Sequence, residues 1–394
     1  MGSGSGQDGS GVIVGMGVAL PPAASQQELW AGFFARHFSG ATRALAERIF
    51  VNSGVRHRQA AVNPLLEDVS DWPTERRMRR YQIEALPLGK EAVGRALTDA
   101  GLAAGEIGLF VVCSCTGYAT PGLDILLARD MGMAPDTQRM FVGHMGCYAA
   151  LPGLAAANDF VAARGRPALL LCAELTSLHI QPSTARMDTQ QIISHALFSD
   201  AAVAAVVAPG NRPGYAVGEV TAVTDTSTAD HMTWELTDTG FRMGLSPKVP
   251  NVLAAHVSDL VTDLLARHGR RISEVDGWAV HPGGPRILNV VESELGLPPE
   301  ALATSRSVLD DHGNCSSPTS LLILERLRRA AVPPRTVVML AFGPGLTLYA
   351  ALLHLRPGAP GRTARCRPAG PAEVTPEQMS VGPVGGDDRC AGWR

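Results

Sequence analysis

The chain has 394 residues, 45% of them hydrophobic and 18% charged, with a formal net charge of −3. That composition supports a large buried core packed as two halves, and the near-balanced charge gives no basic footprint for nucleic acid and no polybasic stretch for a membrane surface. No apolar run reaches the roughly 18 residues of a spanning helix, no basic-then-apolar leader opens the chain, and seven cysteines without framework spacing read as reduced thiols, so a cytoplasmic protein is expected.

Residues 1–11 are rich in Gly and Ser and read as a disordered arm. A strand follows over 12–17. Ser25 is a candidate N-cap for a helix over 26–38, and a second helix spans 41–50. Arg43, Arg48, Arg56 and Arg58 crowd this region; they suit an anionic ligand such as the phosphates of a nucleotide-like carrier, or equally a solvated face. A helix over 81–100 leads through Glu106-Ile107-Gly108 into the strand 109–113. Cys113-Ser114-Cys115 is too tight for a usual zinc pair, and no metal site is expected.

Arg139-Met140-Phe141-Val142 reads as a short strand end, and 149–164, rich in Ala and Leu, as a buried helix. Cys147 then lies at a helix N-terminus, where free N–H groups and the macrodipole push a thiol toward thiolate; a buried inert cysteine is the alternative. Further strands are expected over 169–174 and 278–280. After residue 356 the composition turns to Pro, Gly, Arg and Glu, so 357–394, with Cys366 and Cys390, reads as a disordered tail.

The middle of the chain repeats itself. Leu97, Gly101, Glu106 and Val112 recur as Leu265, Gly269, Glu274 and Val280, and Leu169-Leu170-Leu171 recurs as Val337-Val338-Met339, all at one offset of 168 positions. Gly146-Cys147 corresponds to Gly313-Asn314 at 167. The reading is a duplicated α/β unit, one half over 12–209 and one over 210–356, each with parallel strands joined by helices. Cys147 and Asn314 then occupy equivalent helix starts, and His281 follows the strand equivalent to the one ending at Val112. A thiol, an imidazole and a carboxamide are the set that acyl transfer needs: a nucleophile, its proton partner and an oxyanion donor.

Gly146-Cys147, Ala196-Leu197-Phe198-Ser199-Asp200-Ala201, His281-Pro282-Gly283-Gly284-Pro285, Gly313-Asn314 and Phe342-Gly343-Pro344-Gly345-Leu346-Thr347, taken in this order, resemble the type III polyketide synthases, the chalcone-synthase-like enzymes. The resemblance covers nearly all of 12–355. It implies a thiolase-like αβαβα five-layer fold of two duplicated halves, acting as a homodimer on malonyl-CoA and a starter acyl-CoA with no further cofactor. Cys147 would carry the starter and the growing chain, while His281 and Asn314 would hold the enolate and the oxyanion.

By the same resemblance Phe198 and Phe241 would be gatekeepers, and Cys115, Thr116, Thr120, His179, Trp234, Met243, Ser316, Gly343 and Pro344 would line the cavity, with Thr120 reaching toward the partner subunit. Arg48, Arg286 and Arg56 would meet CoA, although Asn52 stands where the family has a lysine. The Gly143-His144-Met145 approach to the cysteine departs from the plant pattern and fits bacterial members. The nearest rival is a ketoacyl-ACP synthase III that performs one condensation with a carrier protein; the Phe-Gly-Pro-Gly-Leu-Thr stretch separates the two. A catalytically silent scaffold of the same fold, or a cysteine-based redox protein, is the rival from another class.

Overall fold

In the computed structural model, residues 10–181 and 188–357 are described. Gly11 does not belong to a loose arm: its N–H donates to Asn158 Oδ1 (2.8 Å) and it is buried. Apart from residues 10, 11 and 357, the two terminal segments, with Cys366 and Cys390, lie outside the described residues.

The strands of the first half are β1 (Val12–Ala19), β2 (Ala23–Ser25), β3 (His57–Gln59), β4 (Leu109–Cys113), β5 (Gln138–Val142), β6 (Ala168–Glu174) and β7 (Ala201–Ala208). Those of the second are β8 (Gly214–Thr224), β9 (Met232–Thr237), β10 (Gly240–Leu245), β11 (Gly277–Val280), β12 (Thr336–Gly343) and β13 (Thr347–Arg356). Among the described residues, nine of them form one mixed sheet in the order β11-β12-β13-β8-β1-β7-β6-β4-β5.

Its two wings repeat each other. From β1 outward, β7 pairs antiparallel, β6 antiparallel to β7, and β4 parallel to β6. From β8 outward, β13 pairs antiparallel, β12 antiparallel to β13, and β11 parallel to β12. β5 extends the first wing in parallel and has no counterpart in the second. The wings meet in a short antiparallel seam, Val12↔Ala216 and Ile13↔Tyr215.

The helices are α1 (Gln26–Gly32), α2 (Gly40–Val51), α3 (Thr74–Ala100), α4 (Leu123–Met131), α5 (Ala150–Arg164), α6 (Thr189–Leu197), α7 (Val249–Arg267), α8 (Pro285–Glu294), α9 (Ala303–His312) and α10 (Pro318–Arg328). α5 and α10 pack with the inner faces of both wings in one apolar cluster, which explains why α5 is Ala- and Leu-rich on every side. α3 covers the outside of the first wing, and α7 and α8 the outside of the second. Helix, sheet, helix, sheet, helix is the five-layer arrangement.

Local chemistry sets the element ends. Ser25 Oγ accepts from Glu28 N–H (3.1 Å) while Glu28 Oε2 accepts from Ser25 N–H (3.0 Å), a capping box that starts α1. The helix expected over 26–38 instead stops at Gly32, and a 3-10 turn, Phe34–His37, follows. α3 begins at Thr74, earlier than the expected residue 81, because its first two turns are charged and bury Arg77, whose guanidinium donates to the carbonyls of Val69 (2.7 Å) and Trp72 (2.8 Å). The repeat extends to small turns: Glu106 Oε2 accepts from Ala103 N–H (2.7 Å), and Glu274 Oε2 from Arg271 N–H (2.9 Å), at the offset of 168 positions.

Candidate active site

Cys147, His281 and Asn314 line one cavity of about 750 Å³, together with Phe198, Met243, Phe342 and, at their own positions on the lining, Arg48 and Arg286. The duplicated wings deliver them: Cys147 from the start of α5, Asn314 from the approach to α10, and His281 from the residue after β11.

Cys147 lies in a single 3-10 turn, Gly146–Tyr148, that runs into α5, and is 6% exposed. Its sulfur faces Ser316 and Asn314. Burial pushes the thiol up to about 12, against the pull of donors on Ser316, Asn314 and the Cys147 backbone. Burial therefore opposes the drift toward thiolate expected at the helix start. Cys147 is a thiol that needs a base.

His281 N–H donates to Leu340 O (2.8 Å), which carries the β11–β12 pairing one residue further. The ring is buried with its edge toward Phe342 (5.6 Å between centroids, 73°), and neither nitrogen has a hydrogen-bond partner among the described residues. Burial pulls its pKa down to about 3, so at neutral pH the imidazole offers one N–H and one lone pair. Two unpartnered polar atoms in a buried ring are costly unless something else meets them.

Asn314 is held by backbone on both sides. Its N–H donates to Leu197 O (2.8 Å) and its carbonyl accepts from Ser199 N–H (2.9 Å), forming a one-residue parallel bridge with Phe198. Asn314 Oδ1 accepts from Ser316 N–H (2.8 Å). With the oxygen so occupied, the N–H₂ end is the one left for Cys147.

Behind Phe198 lies a second, inner chamber of about 40 Å³. Phe198 and Met243 line both spaces, whereas Phe241 lines only the inner one, stacked on His179 (4.5 Å, 8°). The aromatic at the boundary expected of Phe241 is thus replaced by Met243, two residues further along β10. Trp234 meets His179 edge-on (5.5 Å), and hydrogen bonds lock the stack. His179 Nε2 donates to Thr116 O (2.7 Å), Phe241 N–H donates to His179 Nδ1 (3.0 Å), and Trp234 Nε1 donates to Cys115 O (2.8 Å).

Other expected residues scatter. Ser316 stands between Cys147 and Cys115, whose sulfur is 3.9 Å from Ser316 Oγ. Thr120 faces a surface pocket with Tyr118 and Phe141. Gly343 and Pro344 back the cysteine turn and are not among the residues lining either chamber: Pro344 lies against Gly146, and Gly343 lies against Tyr148. Arg56 is turned away and ion-paired with Asp310 (2.5 Å) and Asp311 (3.3 Å), and Arg58 is buried, so of the four arginines between 43 and 58 only Arg48 lines the cavity.

One residue beside the site was not singled out from the sequence. Glu174, at the end of β6, is fully buried and accepts from Cys115 N–H (3.0 Å), Thr116 Oγ1 (2.8 Å) and Ser317 Oγ (2.8 Å). Burial still raises its carboxyl to about 6. An acid closing an otherwise apolar strand was the available signal.

A duplicated five-layer fold that brings a thiol, an imidazole and a carboxamide to one apolar cavity defines a condensing acyltransferase of the thiolase-like fold. Comparison with known proteins narrows the class. Residues 3–211 match the family model for the N-terminal domain of chalcone and stilbene synthases, and residues 220–357 match that for the C-terminal domain. The chain belongs to this family and is a type III polyketide synthase, not a ketoacyl-ACP synthase III.

Among its relatives are an alpha-pyrone synthesis polyketide synthase-like protein, Pks18, of Mycobacterium tuberculosis, 31% identical over 78% of this chain and 81% of the relative. A 1,3,6,8-tetrahydroxynaphthalene synthase of Streptomyces peucetius is 35% identical over 80% and 85%. The crystal structure of PKS-I from the brown alga Ectocarpus siliculosus superposes with a TM-score of 0.82 at 30% identity, covering 89% of this chain and all of that one.

Proposed function

We propose that the enzyme condenses malonyl-CoA iteratively onto a starter acyl group held on Cys147 and releases a cyclised pyrone, resorcinol or related aromatic polyketide. The observation that carries this is the meeting of Cys147, His281 and Asn314 in one cavity whose lining includes Arg48 and Arg286 and, among the described residues, no carboxylate. The arginines suit CoA phosphates.

In this reading neutral His281 takes the Cys147 proton as sulfur attacks the starter thioester, and returns it to the departing CoA sulfur. Asn314 N–H₂ and the His281 N–H receive the oxyanion. Malonyl-CoA then enters. Its carboxylate leaves as CO₂, the bonding pair moves to the thioester as an enolate, and the same two donors hold the enolate oxygen. The apolar wall of Phe198, Met243 and Phe342 disfavours the malonyl carboxylate and favours neutral CO₂. The enolate carbon attacks the Cys147 thioester, a carbon–carbon bond forms, and the thiolate leaves.

The small inner chamber, bordered by the His179–Phe241–Trp234 stack, supports a product of few extensions, with the larger apolar space in front of Phe198 available to the starter. A homodimer is part of the proposal. β5 is a sheet edge whose Met140 and Phe141 are 42% and 43% exposed, and Tyr118 beside it is 70% exposed, an edge that a second copy would cover. Mass spectrometry of products from a panel of acyl-CoA starters with malonyl-CoA, without carrier protein, tests the reaction. Cyclised polyketides are expected, and a strict requirement for acyl carrier protein would defeat the reading.

A further inference from the structure

Two arginines are buried in the first half, and they do different things. Arg77 ties loops together through the carbonyls of Val69, Trp72 and Ile180. Arg58, in β3, is 6% exposed and reaches the strip of chain between the gate and the carboxamide. Its Nη1 donates to the carbonyls of His195 and Phe198, the latter at 3.1 Å. These belong to the C-terminal end of α6, where helix carbonyls lack intrahelical donors. The guanidinium sits over Phe34 and Phe50, 5.5 and 5.9 Å from the ring centroids, and the buried carboxyl of Asp200 favours its charge.

The rest of the contact is continuous. Next to Arg58, Gln59 N–H donates to Ser199 Oγ (2.8 Å), and Asp200 N–H donates to Gln59 O (3.1 Å). From the other side, Leu197, Phe198 and Ser199 are the residues that bond and bridge Asn314. Arg58 is therefore one hydrogen bond from the backbone of Phe198, and Phe198 is bridged to the residue whose carboxamide faces the Cys147 sulfur.

We infer that Arg58 is a positioning residue that sets, through the carbonyls of His195 and Phe198, the joint placement of the Phe198 gate and the Asn314 carboxamide. The inference rests on the condensation reading above. Arg58 borders the inner chamber beside Phe198 but not the cavity that holds Cys147 and the arginines assigned to CoA, so its loss acts on turnover and not on the capture of CoA substrates.

Arg58→Lys is the principal test, since it keeps a cation near Asp200 and the two rings but replaces a planar multi-donor head with a point donor. The expected result is a folded enzyme with a modestly lowered melting temperature, a KM for malonyl-CoA within about twofold of wild type and a kcat lower by on the order of tenfold to a hundredfold. The pH midpoint of Cys147 alkylation by iodoacetamide moves upward, because the Asn314 donor no longer favours the thiolate. In an Asn314→Ala background the same change adds little, which is the non-additivity of groups acting as a unit.

A folded Arg58→Lys enzyme with wild-type kcat, or with an equal loss in both backgrounds, overturns the inference. If the lysine variant does not fold, Arg58→Met with Asp200→Asn removes both charges together and is judged by the same measurements. If that also fails to fold, Arg58 serves stability alone and the positioning role falls. A wild-type enzyme that makes no polyketide defeats the proposed function instead, whatever Arg58 does.

Discussion

The starts of α5 and α10 are the same place in the two halves of the molecule, and they carry different chemistry. Each is entered through a left-handed glycine, Gly146 at φ 69° and Gly313 at φ 68°, and the next residue, Cys147 or Asn314, lines the cavity. Asn314 is then fixed by backbone bonds to residues 197 and 199 and by its own Oδ1, whereas the sulfur of Cys147 meets only the weak donors of its neighbours. Duplication supplies the address, and the adjoining segments decide the role: a fixed donor in one half, a nucleophile in the other.

The largest effect comes from removing one role and keeping the other. Cys147→Ala should stop chain extension, a loss on the order of 10³-fold or more, while malonyl-CoA decarboxylation persists, because His281 and Asn314 still hold the enolate. His281→Ala and Asn314→Ala should each lower both activities by roughly 10²- to 10³-fold. CO₂ release and product formation measured side by side separate the two patterns. Equal loss of both activities in Cys147→Ala would erase the division of labour between the halves.

Much of this was legible in the sequence because periodic apolar runs and repeated turn residues are local signals. β4 begins and ends where the pattern places it, and the offset of 168 positions between Glu106 and Glu274 corresponds to two identical backbone caps. What escaped depends on long-range packing. Phe241 and Met243 lie on one face of β10, and only the reach of the β9–β10 hairpin decides which of them also lines the larger cavity. Arg56 and Arg58 look alike in sequence, yet one pairs with Asp310 and the other is buried against α6. The pull of burial on the Cys147 thiol escapes sequence reading because a helix start is visible in a sequence and desolvation is not.

A second comparison concerns acid. His179 and His195 of the first half and His281 of the second are buried and neutral, with burial pulling their pKa values down to about 3, 4 and 3. Their unfolded values are higher, so the unfolded chain binds more protons below about pH 6.5, and stability falls as pH drops through that window. Glu174, raised to about 6, works in the opposite sense between about pH 6 and 4.5, because the folded state holds its proton more tightly. From these four groups alone, three protons against one leave stability falling by roughly 3 kcal/mol per pH unit near pH 5. Urea melts from pH 7 to 4.5 measure the slope, and His179→Gln should flatten it by about half. A flat profile would mean that the three rings are not buried neutral.

The smallest effect separates the two glycines. An alanine at either position must hold a positive φ, which costs about 1–2 kcal/mol in both halves. The added methyl meets different neighbours. At Gly146 the nearest atom is Pro344 Cδ at 3.1 Å, on a ring at the edge of the β12–β13 turn, which can give by a few tenths of an ångström. At Gly313 it is the carbonyl oxygen of Leu197 at 2.8 Å, the same oxygen that accepts from Asn314 N–H, so the methyl can be accommodated only by pushing the bridge apart. Gly313→Ala should therefore destabilise the fold more than Gly146→Ala by about 1 kcal/mol and should also lower decarboxylation, which Gly146→Ala leaves closer to wild type. Thermal melts and CO₂ release on the two variants check this, and equal penalties would show that the halves constrain their functional residues alike.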